Sequence, residues 1–259
     1  MLGYTYGWRA RLGIILPSIE LTTEFEYPKM LPEGVTVHFT RMAFENVTEE
    51  NYVGMLDDVP RSAILLSHAR VHATAFACTS GSLFGGLGYD GKIIETMQKH
   101  MACPCTTTST AVVDALKAVG AKKLCVGTPY PDWVNRLEEE FLEQSGFQVV
   151  QIRGILQDLK EIFGIDPEKP NQELAFLTNA LPPQRVYEFA ISRINREDCD
   201  AVFLSCMALP TLGILDLLES DLGKPVVSSN QATLWKLLQM VGIETKGSME
   251  QFGSLFSHS

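Results

Sequence analysis

Two cysteines of this chain sit in the same local setting. Ala75-Phe-Ala-Cys78-Thr-Ser-Gly-Ser82 and Val202-Phe-Leu-Ser-Cys206-Met-Ala-Leu-Pro-Thr211 are each a short apolar run of strand character that ends on a thiol and continues into small or hydroxyl residues. A helical pattern follows each. An unperturbed thiol titrates at roughly 8.5, and the N–H groups at a helix start lower that value, so a thiolate is chemically accessible at either position. The backbone amides of Thr79 and Ser80 after the first cysteine, and of Met207 and Ala208 after the second, are suited to stabilise charge developing on a carboxylate, as an oxyanion hole does. One thiolate can then attack or deprotonate carbon while the opposite thiol returns a proton, which requires no metal and no organic cofactor. A lone cysteine at a strand end is more often a buried apolar residue; the matched pair favours the functional reading. Cys103, Cys105, Cys125 and Cys199 lack that setting and are read as structural, and the six cysteines show no zinc-ribbon spacing.

Strand-like runs alternate with helical patterns along the chain, the signature of an α/β fold with parallel sheets covered by helices. Strands are predicted at Leu12–Leu16, Val35–Thr40, His72–Ala77 and Pro104–Thr108, then at Lys123–Gly127, Phe147–Ile152, Ala201–Leu204 and Pro225–Ser229. Helices are predicted from Thr48 to about Ser67, near Lys92–Met101, from a cap at Ser109 or Thr110 to Gly120, and over Asp132–Ser145, Gln184–Arg196, Leu212–Leu222 and Ala232–Val241. The segment up to Met30, the glycine-rich stretch from Gly81 to Gly88 and the proline-bearing stretch through Pro167, Pro170 and Pro182 are read as connections. Pro104 and Pro225 are separated by the same interval as Ala111 and Ala232, and each pair brackets strand, hydroxyl-rich turn and helix. The pattern therefore reads as an internal duplication: two similar lobes, each a four-stranded parallel sheet flanked by helices, related by a pseudo-twofold with the site in the cleft between them. Residues 1–117 form the first lobe, 118–226 the second, and 227–259 a C-terminal helix and tail returning to the first.

Ligands of open parallel sheets bind beyond the carboxyl ends of the strands. The polar turns at Ser18, Cys78, Thr106–Thr110, Tyr130, Cys206 and Ser228-Ser-Asn230 all fall there and are expected to converge. The net charge of −10 disfavours a nucleic-acid partner, whose binding needs excess Lys and Arg. No apolar run approaches the roughly 18 residues of a membrane span, and the first residues lack a signal-peptide pattern, so a cytoplasmic protein is expected. Self-association into a homo-oligomer is allowed.

Pro104-Cys-Thr-Thr-Thr-Ser-Thr-Ala-Val-Val, Thr128-Pro-Tyr130 and Lys224-Pro-Val-Val-Ser-Ser229 resemble segments of arylmalonate decarboxylase, and Phe39-Thr-Arg-Met42 resembles maleate cis–trans isomerase. Together with the two cysteine turns, they make nearly the whole chain similar to this branch of the aspartate/glutamate racemase superfamily. The resemblance implies two α/β lobes around one site, with Cys78 and Cys206 as the catalytic thiols, Thr79 and Ser80 as the carboxylate-binding pair, and Tyr130 as a ligand contact. In the isomerase the first cysteine attacks a double bond and the second handles a proton; racemases of the superfamily use two thiols to remove and return a proton; the decarboxylase keeps only the second cysteine. Where the isomerase has asparagine in Pro-Ser-Ser-Asn-Thr-Thr, this chain has Pro17-Ser-Ile-Glu20-Leu-Thr22, and a second asparagine corresponds to Leu159. An ionised Glu20 within ~4–6 Å would repel a dicarboxylate, which counts against maleate. An acid in this turn also resembles the ectoine-utilisation A proteins. Glu20 is thus expected either to receive a cationic or hydrogen-bond-donating group, such as an amine, or to point to solvent from a loop.

His68 and His72 have helical spacing but lack the glutamate of a metalloprotease pair, and Glu138-Glu-Glu140 reads as a solvated helix face. Three functions remain. The leading one is a cofactor-independent isomerase or racemase acting on a small carboxylate through Cys78 and Cys206, with Ser18, Glu20, Thr79, Ser80, Tyr130, Met207 and Ala208 binding the substrate. The others are a decarboxylase protonating an enolate with Cys206, and a two-lobed small-molecule binding protein without catalysis.

Overall fold

The computed structural model describes residues 4–156, 158 and 172–258. The first sheet is built from β1 (Ala10–Pro17), β2 (Val35–Met42), β3 (Ala73–Phe76) and β4 (Cys105–Thr107), in the order β2-β1-β3-β4. The second uses β5 (Lys123–Thr128), β6 (Gln148–Gly154), β7 (Ala201–Leu204) and β8 (Val226–Ser228), in the order β6-β5-β7-β8. All neighbours are parallel. The same strand order twice is the duplicated α/β architecture the sequence pattern implies. The likeness extends to register: Ala77 N–H bonds back to Ile15 O and Ser205 N–H to Gly127 O, each at 2.8 Å. Each cysteine therefore leaves its sheet one residue later, at the carboxyl end of an inner strand.

The helices are α1 (Thr22–Met30), α2 (Glu49–His68), α3 (Thr79–Leu83), α4 (Tyr89–Gln98), α5 (Thr108–Ala118), α6 (Asp132–Gln144), α7 (Gln172–Ala180), α8 (Pro183–Arg193), α9 (Leu215–Leu222) and α10 (Ser229–Met240). Thr48 caps α2 by accepting the Asn51 N–H at 3.3 Å, and the helix continues through Pro60. The helices α5 and α10 begin earlier than the hydroxyl pattern suggests, because the last residue of each preceding strand is the cap. Thr107 accepts the Thr110 N–H, and Ser228 forms a capping box with Gln231. That shift puts Thr108, Ser109 and Ser229 into the first helical turns.

These two helices form the seam between the lobes. They pack on each other, α10 also touches β3, and α5 touches β8. Thr233 Oγ1 donates to Thr108 Oγ1 at 3.1 Å, and Lys236 pairs with Asp114 at 2.6 Å. One apolar core consequently runs from Leu12, Ile14 and Ala75 of the first sheet through Val112, Ala115 and Leu234 to Leu124, Val126 and Phe203 of the second. The tail folds onto α10, where Trp235 Nε1 donates to His258 O and Gln231 Nε2 to Phe252 O.

Three elements depart from the sequence reading. The segment before Met30, expected as a connection, is α1, whose polar composition is offset by tertiary contacts. Its Glu26 is buried and accepts from the N–H groups of Thr211 and Leu212, each at 2.8 Å, and from Asn230 Nδ2 at 2.9 Å. Tyr27 donates to Asn230 O at 3.1 Å. The short α3 follows Cys78 at once, inside a stretch read as glycine-rich loop. The helix α7 was not expected. Pro167, Pro170 and Leu159 lie outside the described residues.

Glu26 is thus a clamp between α1 and the turn after Cys206. Replacing Glu26 with Ala leaves the Thr211 and Leu212 N–H groups without their acceptor and removes one of the two acceptors of the Asn230 amide, and is expected to cost about 2–4 kcal/mol of stability, read as a lower urea midpoint. A loss under about 0.5 kcal/mol would show that the clamp contributes little.

Candidate active site

Cys78 is the N-cap of α3. Its extended backbone (φ −144°, ψ 111°) turns the sulfur back over the helix start, where it accepts the Gly81 N–H at 3.3 Å. The thiol is buried, with Ser80 Oγ 3.9 Å away. Thr79 and Ser80 are the first two residues of α3, whose N–H groups have no acceptor inside the helix. Thr79 Oγ1 donates to Ser229 Oγ at 2.9 Å, and the same Ser229 oxygen accepts the Cys206 N–H at 3.0 Å. A single hydroxyl from the first turn of α10 thus joins the two cysteine turns.

Cys206 adopts φ 115°, a left-handed value that a side chain disfavours. It is held there by the Ser229 bond and by Ser205, whose hydroxyl donates to Glu138 Oε1 at 2.6 Å. The Ala208 N–H and the Tyr130 hydroxyl lie against the Cys206 thiol and favour its ionised form, but burial outweighs them and pushes the thiol up to about 12. Burial likewise pushes Cys78 to about 11, against the pull of the Gly81 N–H and Ser80. The helix-start effect expected from sequence is present at Cys78, where desolvation exceeds it; at Cys206 it is replaced by a single turn amide, because the following helix begins only at Leu215. Each thiol also carries a contribution from an ionised Glu20, and charge on Cys78 raises Cys206. Two thiolates therefore do not coexist cheaply.

Around the thiols Glu20 Oε2 and Glu138 Oε2 are buried without a hydrogen-bond partner, and the hydroxyls of Tyr52 and Tyr130 are buried with no well-formed hydrogen bond beyond their approach to Ser80 and to the Cys206 thiol. Buried polar atoms are almost always matched, so such a cluster is where a ligand's groups fit. Burial pushes Glu20 up to about 7 and Glu138 to about 8, and lifts Tyr52 and Tyr130 well above the usual phenol range. Charge on Cys78 or Cys206 would raise the Tyr52 hydroxyl further and Ser80 lowers it, and Phe44, Phe84 and Trp133 surround its ring at centroid distances of 5.2, 5.0 and 6.0 Å. This aromatic wall gives the site an apolar side.

Of the residues predicted to bind substrate, Glu20, Thr79, Ser80 and Tyr130 gather with Cys78 and Cys206. Glu20 is buried and does not point to solvent. Ser18 stands apart: it is exposed, and its hydroxyl donates to Phe44 O and accepts the Phe44 N–H, both at 3.0 Å, which ties it to the end of β2. Met207 turns its side chain into the seam, where Thr108 donates to its sulfur at 3.5 Å. The Ala208 N–H faces the thiol beside it. Glu138 corrects the reading of Glu138-Glu-Glu140 as a solvated face, since it is buried while Glu140 is exposed. Its neighbours Val134, Phe141 and Leu142 on the buried face of α6 were the signal for this. Tyr52, on the buried face of α2, gave no signal beyond core packing. His72 Nδ1 accepts the Arg11 N–H at 3.0 Å, and no cluster of metal-binding residues occurs among the described residues. Nor is any helix there long and apolar enough to cross a membrane.

Comparison with known proteins gives a consistent result. The maleate isomerase of Geobacillus stearothermophilus is 30% identical over 261 residues, spanning 95% of this chain and 97% of that protein. The arylmalonate decarboxylase of Bordetella bronchiseptica is 27% identical, spanning 96% and 97%. Among solved structures, the maleate isomerase from Pseudomonas putida S16 with maleate superposes with a TM-score of 0.83 at 27% identity, covering 96% of this chain and 98% of that one. The family model described as arylmalonate decarboxylase matches residues 12–256, and on that match the chain belongs to the arylmalonate decarboxylase family.

Proposed function

We propose that the protein is a cofactor-independent isomerase acting on a small carboxylate through Cys78 and Cys206. The observation that carries this reading is the meeting of two thiols, the buried Cys78 of one lobe and the partly buried Cys206 of the other, beside a cluster of buried and unmatched polar groups. The maleate isomerases among the similar proteins support it. The substrate carboxylate is received by the hydroxyls of Tyr52 and Tyr130 and by the amides of Thr79 and Ser80. In the cis–trans form of the reaction, the Cys78 thiolate adds to one carbon of a double bond while the adjacent carbon takes the proton of the Cys206 thiol. The resulting single bond rotates. Cys206, now a thiolate, removes the proton again, the carbon–sulfur bond breaks, and the double bond and both thiols return to their starting states. In the racemase form, one thiolate removes a proton beside the carboxylate and the opposite thiol delivers one to the other face. Both forms need one neutral and one ionised sulfur. The reading places the enzyme in the cytoplasm, where reducing conditions keep thiols free. Decarboxylation by Cys206 alone is the second reading, favoured by the family match, and it gives Cys78 no task.

Incubating small carboxylates with the enzyme in D₂O and following them by NMR should show geometric change or deuterium uptake at carbon. Cys78→Ala and Cys206→Ala should each lower that rate by roughly 10²- to 10⁴-fold. Isomerisation that survives Cys78→Ala unchanged sinks the two-thiol mechanism, and loss of CO₂ that depends on Cys206 alone supports the second reading.

Because burial holds both thiols far above neutrality, the ionised fraction grows with pH. We expect kcat/KM to climb between about pH 7 and 9, by up to about tenfold per unit. A flat or falling profile over that range would show that the working thiolate is not limited by burial.

A further inference from the structure

Glu20 is held so that one carboxyl oxygen is fixed and the other is left open within the site. Oε1 accepts the Thr23 N–H at 2.8 Å, while Oε2 is buried without a partner. The backbone around it is pinned from two sides. Arg41 on β2 donates through Nη1 to the carbonyls of Ser18 at 2.9 Å and Glu20 at 2.8 Å. From α7, Asn179 donates to Ile19 O at 3.1 Å and accepts the Leu21 N–H at 2.9 Å. Arg41 turns its other terminal nitrogen to Glu24, at 2.8 Å, so its charge helps the Glu20 carboxyl only at a distance. Tyr27 has its hydroxyl engaged on Asn230 O. Such fixed geometry around an unmatched acceptor is what recognition of a donor requires.

The charge balance selects among donors. A zwitterionic ligand would place its carboxylate on the hydroxyls of Tyr52 and Tyr130 and its cation on Glu20, adding no net charge to a buried site. A dicarboxylate would bring a second anion against an acidic side chain. We propose that Glu20 receives the ammonium group of a small amino carboxylate, making it the specificity-determining residue of this site. This rests on the carboxylate site proposed above.

Isothermal titration calorimetry at about pH 8, where the carboxyl is largely ionised, tests the preference directly. The probes are alanine, β-alanine and γ-aminobutyrate, set against propionate, butyrate, succinate and maleate. The wild-type protein should bind at least one amino carboxylate on the order of 10- to 100-fold more tightly than its amine-free counterpart and than either dicarboxylate. Glu20→Gln should erase that ratio. Succinate or maleate binding as tightly as the best amino carboxylate overturns the proposal, as does a preference that survives Glu20→Gln or no binding by any amino carboxylate. The wild-type comparison decides the matter even where the variant fails to fold. Repeating the titrations with Cys78→Ala separates the two readings: a preference that persists there, together with unchanged isomerisation by Cys78→Ala, would overturn the thiol mechanism and leave the role of Glu20 standing.

Discussion

The bond on which the structure turns is the one made by the Ser229 hydroxyl. It accepts from Thr79 of one lobe and from the Cys206 backbone of the other, so the spacing of the two sulfurs is set by one oxygen and not by the flexibility of a cleft. Ser229 lies in the first turn of α10, and α10 is fixed by the capping box at Ser228 and by its contacts with α5 and β3. A second set of polar contacts reinforces the first: Ser109 donates to Thr79 O at 3.2 Å and meets Ser82 Oγ at 2.5 Å. The side chains of Thr79, Ser82, Ser109 and Ser229 are all buried, where an unmatched polar atom would cost about 1–3 kcal/mol. The network therefore specifies one relative placement of the lobes.

Around that fixed frame, desolvation outweighs the other electrostatic influences. It keeps both sulfurs neutral at ordinary pH and brings Glu20 and Glu138 close to neutrality. Local hydrogen bonds from Gly81, Ala208, Ser205 and Thr23 pull in the opposite direction without prevailing. An enclosed site of this kind holds little charge until a ligand enters, and the ligand's own groups then decide which side chains ionise. Glu138 belongs to this balance: it receives the Ser205 hydroxyl next to Cys206 and acts on both tyrosines.

Much of this was legible in the residues themselves. The eight strands follow from apolar runs bounded by turn residues, and the equivalence of Cys78 and Cys206 from their rank in a repeated pattern. What could not be read depends on partners distant in sequence. The helix α1 carries Pro28 and many polar residues, and it forms because Glu26 finds donors more than 180 positions away. Ser18 sits in a polar turn like the others, and only the adjacent end of β2 shows that its hydroxyl is already engaged. Glu138 sits in a run of three acids that looks solvated until the apolar spacing of α6 is followed through it. Tyr52 is a core aromatic by every local sign, and its role emerges only where α2 meets the thiols.

The backbone of Cys206 has a consequence of another kind. At φ 115° a glycine would be more comfortable than any side chain, by about 1–3 kcal/mol, whereas Cys78 at φ −144° has no such alternative. Under the proposed two-thiol function, folding stability and chemistry make opposite demands at Cys206 and no such conflict arises at Cys78. A duplicate of this gene released from selection for activity would drift toward glycine at Cys206 first, gaining robustness as it lost its second thiol.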